Sequence, residues 1–260
     1  MEPGFLQLPA RTARPRATGI THVLDKGMSA HELRGLLDNV GEYVDVLKFG
    51  WGTAYVSAAT AAKVELCRAR GVLTCLGGTL LEVAAAQGRV GEYAEWAGEL
   101  GVDCVEVSNG ALGMPVAAKR ELVRGLAEDF TVMAEVGTKA AVEPVAAEWV
   151  AEMLGDLEAG AAWVIAEGRE SGTVGLFDAN GEVRTALVEE ILAAVAPERV
   201  IFEAPAREQQ AWLIRRLGAN VNLGNIASNE VGGLETLRLG LRADTAAPAP
   251  AHRPSVESRG

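Results

Sequence analysis

Apolar positions along the chain fall in short continuous blocks separated by longer amphipathic stretches. Eight blocks of β type recur: THVLDKG (21–27), VDVLKFG (44–50), VLTCLGG (72–78), VDCVEVS (102–108), TVMAEVG (131–137), AAWVIAEG (161–168), RVIFEAP (199–205) and NVNLGNI (220–226). They run mostly apolar without alternation, as strands covered on both faces do. Between them lie stretches of helical period such as AHELRGLLDNV, AATAAKVELCRAR, RELVRGLAEDF and EWVAEMLGDLEAG. Ser29 with Glu32, and Thr79 with Glu82, have capping-box spacing at helix starts. Gly71, Gly101, Gly160 and Gly218 stand where helices stop.

Eight strands alternating with about eight helices predict an α/β chain folded as one (β/α)8 TIM barrel. A doubly wound open sheet is the competing arrangement. It usually has fewer strands, and a dinucleotide binder would carry GxGxxG after the first one. That turn reads DKGMSA here, and no Walker A motif occurs. The barrel is expected over 19–245. A flexible segment is expected at 1–18. The Pro/Ala/Ser/Arg-rich stretch AAPAPAHRPSVESRG (246–260) reads as a disordered tail.

Polar residues concentrate at the C-terminal ends of the blocks. Asp25 and Lys26, Lys48, Glu106 with Ser108 and Asn109, Glu135 with Lys139, Glu167 with Arg169 and Glu170, Glu203, and Asn222 with Asn225 mark seven of the eight. A barrel places its active site at that face, which makes this row the candidate site. One buried acid paired with a base is ordinary structure. Seven strands in one register are hard to explain that way.

Composition sharpens the picture. The 260 residues carry 24 Lys and Arg against 35 Asp and Glu, a net charge of −11, which argues against general nucleic-acid binding. No apolar window approaches 18 residues and the N-terminus lacks an apolar core segment, so neither a membrane span nor a secretory signal is expected. Cys67, Cys75 and Cys104 are scattered and fit small buried hydrophobes in a reducing cytoplasm. Only five of the 24 basic residues are Lys, and three of those five, Lys26, Lys48 and Lys139, fall at strand ends. Lys, unlike Arg, can lower its pKa when buried and pass a proton.

A zinc site is not expected, because HExxH, CxxC and paired His are absent. Glu106, Glu135, Glu167 and Glu203 offer oxygen ligands of the kind Mg²⁺ takes, and spacing leaves open which of them bind it. The stretch Gly224-Asn225-Ile226-Ala227-Ser228 before the last helix suits a phosphate, or equally an ordinary strand-to-helix turn.

DKG at 25–27, VLKFGWGT at 46–53, GGTLLE at 77–82, VEVSNG at 105–110, AEVGTK at 134–139, EGRESG at 167–172, GLFD at 175–178, IFEAP at 201–205 and the run from 222 to 245 together resemble the phosphosulfolactate synthase family. The likeness covers about 19–245. It implies a (β/α)8 enzyme that adds sulfite to phosphoenolpyruvate with Mg²⁺ to give (2R)-phospho-3-sulfolactate. It also implies a homo-oligomer acting on small anionic substrates; plant proteins associated with heat stress are among the relatives.

On this resemblance Lys139 matches the second Lys of an EVGKK-type motif and is the expected proton donor, with Lys48 and Glu135 as further catalytic groups. Lys26, Arg169, Ser108, Asn222 and Asn225 are expected at the substrates, and Glu167, Glu203, Glu106 and Asp25 at the metal. Two positions depart from the family: Asn109 replaces the usual Asp, and Thr138 replaces the first Lys of the motif. They motivate an alternative, the same enolate chemistry with another nucleophile or acceptor. A non-catalytic stress protein and, more remotely, a Schiff-base aldolase complete the alternatives.

Overall fold

The structure is a computed structural model that describes residues 4–137 and 143–246. Eight parallel strands close into one barrel in sequence order: β1 Thr21–Asp25, β2 Val46–Phe49, β3 Leu73–Leu76, β4 Cys104–Val107, β5 Thr131–Val136, β6 Trp163–Ala166, β7 Val200–Glu203 and β8 Leu223–Ala227. Around them stand α1 Ala30–Val40, α2 Thr53–Val56, α3 Thr60–Arg68, α4 Gly78–Ala86, α5 Val90–Leu100, α6 Val116–Leu126, α7 Ala146–Glu158, α8 Thr185–Ala194, α9 Arg207–Leu217 and α10 Val231–Arg238. All eight expected strands are present, and the barrel is a single domain.

Alternation along each strand divides the core in two. One set of side chains (Val23, Leu47, Phe49, Val105, Val107 and their equivalents) packs outward against the helices. The other (Ile20, Val46, Cys75, Cys104, Met133, Ile165 and Ile201) fills the barrel interior. The three cysteines are buried free thiols, as expected. No helix among the described residues is long and apolar enough to cross a membrane.

The local signals met different outcomes. Ser29 and Glu32 form the expected capping box of α1. Thr79 and Glu82 do not. The α4 helix starts earlier, on Gly78 with Gly77 as N-cap, and Glu82 is pulled elsewhere. Gly101 ends α5 in the left-handed conformation, at φ 69°.

The last strand also starts later than expected. Asn222 lies before β8, at the N-terminal end of the barrel. There its Oδ1 accepts from Ile20 N–H at 3.0 Å and its Nδ2 donates to Val200 O at 3.1 Å. This corrects its assignment to the substrate face, since a residue that closes the barrel floor cannot reach the opposite end. The stretch before β1 has partners on the same floor: Arg11 pairs with Glu235 at 2.8 Å, and Asn220 Nδ2 donates to Ala10 O at 2.9 Å. The expected tail lies, from 247 on, outside the described residues.

Candidate active site

Side chains facing inward near the C-terminal ends of the strands meet in a cavity of about 300 Å³. Lys48 comes from β2, Glu106 from β4, Glu135 from β5 and Glu203 from β7. Glu167 and Arg169 follow β6, Trp51 and Gly77 follow β2 and β3, and Asn225 lies in β8.

Lys48 is buried between two acids. Its Nζ donates to Glu106 Oε2 at 2.9 Å and to Glu203 Oε1 at 3.2 Å. Burial alone would lower its pKa, but Glu106, Glu203 and Glu135 together hold it well above the usual lysine value. Burial would likewise raise Glu106. The Lys48 ammonium, aided by a 2.9 Å hydrogen bond from Gly78 N–H, instead brings that carboxyl down to about 2. The pair is therefore ionised throughout the neutral range.

Glu135, Glu167 and Glu203 form a second group. One oxygen from each lies within 4.8 Å of the others. Burial, and then the neighbouring Glu135 and Glu203, push the Glu167 carboxyl well above the carboxylate range. Backbone amides hold two of the three in place: Arg169 N–H donates to Glu167 Oε1 at 2.5 Å, and Gly168 N–H to Glu203 Oε2 at 3.1 Å. Glu167 Oε2 and Asn225 Oδ1 are buried without a hydrogen-bond partner. Three hard oxygen donors, mutually repelling and partly unsatisfied, suit a divalent cation.

Asn225 owes its place to a bulge. Thr21 pairs with Leu223 and Val23 with Ile226, so β8 carries one residue more than β1 across that step. Asn225 absorbs it at φ 54°. Such a bulge re-aims a side chain, here toward the cavity.

Two expected site residues, Asp25 and Ser108, are used elsewhere. Leu24 lines the cavity, so Asp25, the next residue of β1, faces outward. Its carboxylate holds Lys63 of α3 at 2.5 Å and accepts from Gly27 and Met28 N–H at 2.8 and 2.7 Å. The structure thus withdraws Asp25 from the proposed metal ligands. Ser108 donates to Glu82 Oε1 at 2.5 Å, and the same carboxylate accepts from Ala111 and Leu112 N–H at 2.9 and 2.7 Å. Ser108 therefore helps fix the β4–α6 loop that carries Asn109. Lys26 pairs with Glu170 near the rim. Lys139 lies outside the described residues.

Residues the sequence reading passed over include His22, fully buried beneath the site. Burial, then Lys48, lower its imidazole to about 3. Lys119 of α6 is buried too; its Nζ donates to Glu135 O at 2.6 Å and to Glu152 at 2.7 Å, with Asp156 Oδ2 at 2.8 Å. The scarcity of Lys was the available signal for this residue.

A family model described as (2R)-phospho-3-sulfolactate synthase matches residues 9–244. A phosphosulfolactate synthase of Methanothermobacter thermautotrophicus is 39% identical, over 91% of this chain and 95% of its own. One from Bacillus subtilis is 37% identical, over 92% of this chain and 97% of its own. Among solved structures, a 3-keto-L-gulonate-6-phosphate decarboxylase from Vibrio cholerae superposes with a TM-score of 0.55 at 12% identity, covering 85% of this chain and 97% of that one; this likeness concerns the fold alone.

Proposed function

The chain belongs to the phosphosulfolactate synthase family, and on that premise we propose that it adds sulfite to phosphoenolpyruvate with Mg²⁺, giving (2R)-phospho-3-sulfolactate. The observation that carries the reading is the lining of the cavity. Five carboxyls (Glu106, Glu135, Glu167, Glu170 and Glu203) stand there against two cations, Lys48 and Arg169. Such a lining repels anionic substrates unless a divalent cation offsets it. Glu135, Glu167 and Glu203 are the residues that would hold that ion. Bound there, Mg²⁺ supplies electrophilic stabilisation of the charge that spreads into the carboxylate as sulfite attacks C3.

The remaining work falls to the chain's own groups. Lys48 spends two of its three N–H donors on Glu106 and Glu203 and keeps a third for a substrate oxygen. Because its acids hold it protonated, it stabilises charge and does not surrender a proton. In this reading the proton delivered to C2 comes from Lys139. Arg169 offers a planar fork to phosphate or sulfonate oxygens. Asn109 favours the second reading, another nucleophile or acceptor, because its loop is clamped by Glu82 beside the cavity-lining Ala111. The full retained set of lysine, arginine and acids weighs against a non-catalytic role. The same reading carries a cytoplasmic, oligomeric enzyme.

The metal requirement is tested directly. Protein stripped with EDTA is expected to lose turnover and to regain it with added Mg²⁺. Full activity in metal-free protein would exclude the assignment of the three glutamates.

A further inference from the structure

Among the described residues, three that are not glycine adopt a left-handed backbone: Trp51 at φ 51°, Arg169 at φ 53° and Asn225 at φ 54°. All three line the same cavity. This conformation is sterically costly for a side chain with a Cβ, and a bulky aromatic there is a clear outlier. Strain of this kind persists where surrounding structure enforces it, and it concentrates where side chains meet ligands.

The enforcement at Trp51 is visible. Gly50 N–H donates to Asp25 O at 3.0 Å, and Gly77 N–H donates to Phe49 O at 3.0 Å, so the end of β2 is pinned from both neighbouring strands. A Cβ on Gly77 would stand 2.9 Å from Phe49 O and 3.1 Å from Trp51 N. The glycine at 77 thus lets the loop after β3 lie directly against the backbone that carries Trp51.

Glycine would take this conformation at no steric cost, and glycines stand on both sides at 50 and 52. The chain nevertheless places Trp between them and leaves it 41% exposed. Its indole N–H has no hydrogen-bond partner among the described residues. The side chain thus serves neither the core nor an internal bond, and it shares cavity and backbone conformation with Arg169 and Asn225.

We propose that Trp51 is a substrate-contact residue that covers the mouth of the cavity, its indole N–H donating to an oxygen of the bound anionic substrate opposite the Arg169 guanidinium. Trp carries a single donor at the end of a rigid apolar plate. It can therefore bind a phosphate or carboxylate oxygen while excluding water from the reacting carbon. The inference rests on the reading of this cavity as an anionic-substrate site and adds a specificity residue to it.

The test uses tryptophan emission of the full chain with Mg²⁺ and phosphoenolpyruvate but no sulfite, so that nothing turns over. Four other tryptophans are present, at 96, 149, 163 and 212, so the signal is assigned by difference. The wild type is expected to change emission on titration. Trp51→Phe should lose that change and bind phosphoenolpyruvate on the order of tenfold more weakly, the loss expected for a hydrogen bond to a charged oxygen. Trp51→Gly should lose the same response while melting no lower than Trp51→Phe, because it removes the strain.

If the wild type responds and both variants bind as it does, the Trp51 inference is wrong while the reaction stands. If the wild type forms no product with sulfite yet its response depends on Trp51, the reaction is wrong and Trp51 stands. If neither phosphoenolpyruvate, inorganic phosphate nor sulfite changes the wild-type emission, the Trp51 inference is wrong, and product formation with sulfite decides the reaction separately.

Discussion

His22 shows how a single buried residue ties this site to stability. Its imidazole is fully buried inside the barrel, and burial followed by the Lys48 charge keeps it neutral down to about pH 3. In the unfolded chain the same group titrates near the ordinary imidazole value of 6.5. Between those values the unfolded state takes a proton that the folded state refuses, so stability falls as the pH drops through that window. Glu106 has its own window lower down. Its depressed carboxyl contributes stability that is present above the ordinary glutamate value of 4.5 and lost as the pH falls toward about 2. Urea unfolding at about pH 7 and about pH 4.5 should therefore show the wild type losing on the order of 2 kcal/mol more than His22→Leu. Equal losses would mean that the imidazole is protonated in the folded protein. His22 was not legible as a special residue, because one His in an apolar run looks like any core position. Its significance comes from Lys48 and Glu106, which reach it only when the barrel closes. The pairing of Lys48 with acids was legible in outline, because acids and a lysine recur at strand ends.

At the scale of elements, helices hold the strand ends in place from outside the barrel. Lys63 of α3 grips Asp25 and donates to Met28 O at 3.0 Å. Glu82 of α4 gathers the β4–α6 loop, and Lys119 of α6 reaches the carbonyl of Glu135. Three of the five lysines, Lys48, Lys63 and Lys119, are buried and placed around strand ends, in a chain that otherwise uses Arg. Sequence order hid two of them, because Lys63 and Lys119 sit mid-helix and meet their strands only through packing. The eight strands themselves were legible from continuous apolar runs. Asp25 and Asn222 were misplaced for local reasons, strand alternation for one and a late strand start for the other.

Breaking one of these clamps should be costly. Lys119→Met leaves Asp156 and Glu152 facing a vanished charge, and removing one partner of a buried pair costs about 3–5 kcal/mol. Adding Asp156→Leu to Lys119→Met should recover most of that loss, since an apolar replacement of a buried pair is often close to neutral. Denaturant midpoints of the two variants decide the matter. A single variant as stable as the double would show that the ammonium does not bear on α7.

Across the whole molecule, one barrel end is a floor and the other a site. Arg238 of α10 closes the floor, buried and donating to Ala219 O at 2.6 Å and Val221 O at 2.7 Å. The opposite end keeps the acids, Lys48 and the three left-handed residues around one cavity. A protein of net charge −11 can receive polyanions only where positive charge is concentrated, so on the proposed reading cation and substrate share this cavity. On that reading, this cavity joins sulfite to phosphoenolpyruvate. Mass spectrometry of the purified chain incubated with both compounds and Mg²⁺ tests it most directly. Phosphosulfolactate is expected, and none when any one of the three is omitted. Unchanged phosphoenolpyruvate over folded, Mg²⁺-supplied protein would contradict it.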